Sequence, residues 1–105
     1  MNKFDEREKS FEKKFQMDEE LQFKVSARRN KYLGEWAGTK LGKNNEETKK
    51  YIQEIIRSDL EETGQEDVFR KIKKDFQIAS IEIEEMEIRK QMEKALLRAK
   101  EDFKK

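Results

Sequence analysis

Three stretches of this chain bring together residue types that could do chemistry, and each can be held against what its chemistry needs. Residues 38–44, G-T-K-L-G-K-N, carry the glycines and lysine of a phosphate-cradling loop. Only three residues separate Gly38 from Gly42 where that motif has four, and Asn44 stands where a Ser or Thr would hold magnesium. A helical pattern precedes it where the motif needs a strand, so the stretch is a glycine stop beside a solvated lysine.

Residues 59–70, D-L-E-E-T-G-Q-E-D-V-F-R, imitate a calcium loop. Asp59, Glu61, Thr63 and Asp67 fall at its first, third, fifth and ninth positions, and Gly64 at its sixth. The twelfth position needs a bidentate carboxylate and holds Arg70, so turn and capping chemistry describe the segment better. Acidic pairs such as Glu61–Glu62 and Glu84–Glu85 are the solvated faces expected of highly charged helices. No nucleophile is paired with an orienting base, and the sequence reads as a non-enzyme.

The third stretch is Arg28, Arg29, Asn30 and Lys31 ahead of Trp36. Arginines beside an aromatic ring can stack and pair with RNA, or give a weak nucleotide contact through Arg28, Arg29 and Lys31. The alternative is a Trp36 in the core, with the arginines lying over it or facing acids of other helices. Charged residues make up 47% of the chain, yet the net charge is only +1. Phosphate binding relies on an excess of Lys and Arg, so nucleic acid is not the expected partner. The chain has no Cys, His or Pro, which removes disulfides, zinc–thiolate sites and any histidine switch. No cofactor and no metal are expected. No apolar run is long enough to span a membrane, so the chain is expected to be cytoplasmic, with no direct membrane insertion.

The elements that carry these residues follow from periodicity. Leu21, Val25, Tyr32 and Trp36 recur at four- and seven-residue spacings and place one face of a helix over about 18–41, ending near Gly42. Asn44 or Asn45 caps a second helix, about 46–60, with Tyr51, Ile52, Ile55, Ile56 and Leu60 as its apolar stripe. Thr63 with Glu66 has the form of a capping box for a third helix, about 65–77, which buries Val68, Phe69, Ile72 and Phe76. Ile78, Ile81 and Ile83 break the helical period and form a packed connector. A fourth helix, about 84–103, runs through Ile88, Met92, Ala95, Leu96, Ala99 and Phe103. The expected fold is all-α: a small four-helix bundle over 19–105 behind a flexible N-terminal segment, 1–18.

That segment is mostly charge, interrupted by Phe4, Phe11 and Phe15 at seven- and four-residue spacing, one helical stripe. The stripe does not continue into the main helix, because Asp18 and Gln22 occupy the next positions. Composition leaves two readings open: phenylalanines folded back on the bundle, or aromatic anchors for a partner's groove.

F-D-E-R-E at 4–8, A-R-R-N-K-Y-L-G-E-W-A-G at 27–38 and E-D-V-F-R-K at 66–71 closely resemble the zeta inhibitor subunit of bacterial F-type ATP synthases. The similarity runs from Phe4 to about Met92. It implies a four-helix protein whose flexible N-terminal segment inserts at a catalytic interface of the ATPase head. There it blocks rotation in the hydrolysis direction while synthesis proceeds, with the bundle as an outside anchor, peripheral to the inner membrane through the synthase. On that resemblance Phe4, Arg7, Phe11, Lys13, Lys14 and Phe15 would meet the catalytic head. Two other readings are a helical adaptor binding another protein through the Phe4/Phe11/Phe15 stripe, and a weakly nucleotide-responsive bundle.

Overall fold

The computed structural model describes residues 19–61 and 65–104. They form four helices and, among the described residues, no strand: α1 (Glu19–Lys40), α2 (Asn45–Asp59), α3 (Glu66–Ile78) and α4 (Glu85–Asp102). Each helix packs on its neighbours in the chain, and α4 closes the ring against α1. The N-terminal segment, the glutamate at 62, Thr63 and Gly64 lie outside the described residues.

Local chemistry sets the helix ends. Gly42 adopts φ 75°, where a side chain would be strained, and lets the chain turn back on α1. The Lys43 N–H then donates to Gly38 O at 2.9 Å and the Gly42 N–H to Thr39 O at 3.1 Å, the paired bonds of a Schellman stop. Asn44 is the cap of α2: its side chain accepts from the Glu47 N–H at 2.9 Å, and Glu47 Oε1 accepts from the Asn44 N–H at 2.9 Å. This reciprocal box satisfies two amides that helix geometry leaves open. Thr63, which with Glu66 made the expected capping box of α3, lies outside the described residues. Gln65 is the cap and makes no side-chain capping bond; Glu66, as the first helical residue, is turned to Arg89 at 3.0 and 3.2 Å.

The core joins Leu33 and Ala37 of α1, Tyr51 and Ile55 of α2, Val68, Phe69, Ile72 and Phe76 of α3, and Ile88, Met92 and Ala95 of α4. Trp36 meets Phe76 edge-on, with ring centres 5.7 Å apart, and so spans from α1 to α3. Tyr51 enters the core with its hydroxyl donating to Asp75 Oδ2 at 2.9 Å. Burial, and then Asp75, push its ionisation well above the ordinary 10.0, so it remains a donor. Ile81 and Ile83 pack against the core as a connector without a strand, whereas Ile78 is exposed. Leu60, expected in the α2 stripe, is also exposed: it is the C-cap residue, past the last turn that α1 covers.

Candidate partner-binding site

Helix α1 has two working faces, and they differ in kind. Toward α4 it presents Tyr32, Leu33 and Trp36, beside Gln91, Ala95 and Arg98. Toward α2 it presents Asn30, Gly34 and Gly38, at four-residue steps along one side. A Cβ on Gly34 would sit 2.6 Å from Ile52 Cγ1, and one on Gly38 would sit 2.9 Å from Thr48 Oγ1. The two helices therefore run antiparallel with their backbones close together. Gly34 and Gly38 are contact residues between the two helices.

The Arg28–Lys31 cluster does not converge on one ligand position. Successive helical residues diverge by about 100°: Arg28 turns to α4, Arg29 and Asn30 both turn to Asp59 of α2, and Lys31 is exposed. Arg28 reaches Asp102 of α4 at 3.1 Å and lies over the Phe103 ring, 5.2 Å from its centre. Arg29 is 3% exposed. Its Nη2 meets Asp59 Oδ1 at 3.2 Å, and its Nε donates to Asn30 Oδ1 at 2.6 Å. Asn30 Nδ2 completes the ring by donating to Asp59 Oδ2 at 3.1 Å. Burial lowers the Arg29 pKa, and Asp59 acts against that lowering. Lys31 is exposed. An anion bound by Arg28 or Arg29 would have to compete with Asp102 or Asp59, and Lys31 lies on a different side.

The same ring occupies both oxygens of Asp59, the first position of the imitation calcium loop. Asp67, its ninth, pairs with Arg70 one turn away. Trp36 is half-buried and belongs to the core wall. On the α4 side of α1, the Tyr32 hydroxyl and Arg28 both bond Asp102, while Arg98 lies over the Tyr32 ring at 3.8 Å. Tyr32, followed by Arg28, holds the Asp102 carboxyl below its ordinary 3.8. Between α1 and α4 a shallow crevice of about 160 Å³ is left beside Tyr32, Trp36, Gln91, Lys94 and Arg98.

Sequence reasoning missed Asp59 and Asp102 as partners of the arginines. They stand 30 and 74 residues away, and no local pattern carries such a pairing. The residues expected to meet a partner, Phe4, Arg7, Phe11, Lys13, Lys14 and Phe15, lie outside the described residues. What the described body offers next to them is the start of α1, where Glu19, Glu20, Gln22, Phe23 and Lys24 are all exposed.

Comparison with curated proteins finds no match. A sequence model of a family described as ATPase inhibitor subunit zeta matches residues 1–102.

Proposed function

The chain belongs to the ATPase inhibitor subunit zeta family, and from that premise we propose that it stops ATP hydrolysis by the F-type ATP synthase through its residues 1–18. The observation that carries the proposal is the extent of the match, which runs from residue 1 to residue 102. It takes in the phenylalanine stripe and the four-helix body together. Within the body, no described helix is long and apolar enough to cross a membrane, which suits a peripheral subunit held by the enzyme.

The mechanism is a coupled ordering and binding step at a catalytic interface of the ATPase head. Phe4, Phe11 and Phe15 enter a groove as the segment becomes helical, and Arg7, Lys13 and Lys14 pair with acids on its walls. Ordering costs about 1–2 kcal/mol per residue in backbone entropy. Each buried phenylalanine returns about 1.5–3 kcal/mol. The three rings alone do not offset the ordering of a whole segment, so helix hydrogen bonds and charge pairs inside the groove must contribute the rest. The body serves as the fixed anchor from which the segment projects. Its core is built from residues of all four helices, with Trp36 packed against it.

Deleting residues 1–18 tests this directly. The shortened protein should keep the far-ultraviolet spectrum of a helical bundle and lose inhibition of ATP hydrolysis by the cognate enzyme. Undiminished inhibition by the shortened chain would defeat the assignment.

A further inference from the structure

Helix α1 outruns the helix that covers it. Its α2 side descends through Gly38 over Thr48, Gly34 over Ile52 and Asn30 bonded to Asp59. Asp59 is the last residue of α2. Phe23 stands seven residues before Asn30 and therefore on the same side of α1, but α2 has ended before reaching it. Its ring is left 57% exposed, and Leu60, the residue just beyond α2, is left 68% exposed. The two apolar side chains thus stand at the same end of the α1–α2 layer. A 3.3 Å ion pair between Glu20 and Lys24 flanks them on α1, and exposed Arg57 and Glu61 flank them on the other side.

We propose that Phe23 and Leu60 form a docking shoulder for the same ATPase head that takes residues 1–18. The inference rests on the inhibitory reading above and adds a contact surface on the folded body. The place where the chain leaves the described structure selects the occupant. Glu19, the first residue of α1, precedes Phe23 by four positions, about 6 Å along the helix axis, so a groove that holds the segment up to its last residue brings its lip against the shoulder. A second copy of the chain is a poorer fit. Two side chains bury a few hundred Å² at most, well short of the roughly 800 Å² per partner of a stable interface. They need an adjoining contact, and the segment supplies one. An apolar pair with a charged rim is the pattern of an anchor ringed by polar groups.

The test uses the full chain, with Phe23→Ser, Leu60→Ser and the double variant set beside Phe11→Ser. Inhibition of ATP hydrolysis by the purified cognate enzyme is titrated with each, and thermal unfolding and sedimentation are measured on the free proteins. The expected result is about tenfold weaker inhibition for each shoulder variant, more for the pair, with unfolding midpoints at the wild-type value. Full inhibition by the double variant, with Phe11→Ser impaired, would overturn the shoulder and leave the segment's role standing. Weakened inhibition by the double variant, with Phe11→Ser unaffected, would support the shoulder and count against the segment. Full inhibition by all variants would overturn both. A wild-type dimer that the double variant dissolves without loss of inhibition would assign the shoulder to a second copy and overturn the proposal.

Discussion

Arg29 and Asp59 form an ion pair inside the bundle, 3.2 Å apart, with side chains 3% and 15% exposed. Asn30 binds both and closes the ring. Asp59 ends α2, where the helix dipole disfavours a carboxylate, and Arg29 offsets that as well as holding α1 to α2. Removing one partner strands the other charge. Asp59→Ala should cost about 3–5 kcal/mol in urea unfolding, because Arg29 stays buried without its counter-charge. Asp59→Asn keeps an acceptor for the ring and should cost less.

The close α1–α2 approach gives a second prediction. Gly34→Ala gains up to about 1 kcal/mol of helix propensity, but its Cβ falls 2.6 Å from Ile52 Cγ1 and 3.3 Å from Ile52 Cα. Overpacking of this kind costs about 1–3 kcal/mol, so the variant should be less stable than wild type. Ile52→Ala removes the nearest atom. The two substitutions together should be less harmful than their sum, which a double-mutant cycle in urea would reveal.

Ser80 adopts φ 58° just past α3. Its N–H donates to Gln77 O at 3.1 Å and that of Ile81 to Phe76 O at 2.9 Å, the same paired stop that Gly42 makes after α1. Here a residue with a Cβ occupies the left-handed position. Ser80→Gly should raise stability by about 0.5–1 kcal/mol, visible as a higher thermal midpoint, while inhibition is unchanged.

Acid should loosen the surface links between helices. Tyr32 and then Arg28 depress Asp102, Arg89 depresses Glu66, and Lys73 depresses Glu85, from ordinary values of 3.8, 4.5 and 4.5. A carboxylate depressed in the folded state adds stability that is complete above its ordinary value and is lost as pH falls through the folded one. With no histidine in the chain, the thermal midpoint should stay flat between about pH 5 and 8 and drop below roughly pH 4. Asp102→Asn should lower the plateau and soften the acid decline.

Much of the bundle could be read along the chain because its causes are local. Tyr51 and Ile55, Val68 to Phe76, and Ile88 to Ala99 are buried as their helical spacing requires. The same logic misplaced Leu60, since periodicity does not say where a neighbouring helix ends. It also passed over the α2 side of α1, where contact is made by Gly34, Gly38 and Asn30. Glycine and asparagine there leave no apolar signal. Glu66 likewise meets Arg89, a partner on another helix that no local spacing announces.

By itself, then, the sequence determined the all-α class, the helix stop at Gly42, and the family to which the chain belongs. Each rests on residues within a few positions of one another, or on an ordered string of them. Only the tertiary structure decided that Arg29 is buried against Asp59, that Arg28 and Tyr32 share Asp102, and that Phe23 extends past the end of α2. Those facts depend on which helices meet and how far each one reaches, and packing sets both across separations that no local spacing encodes.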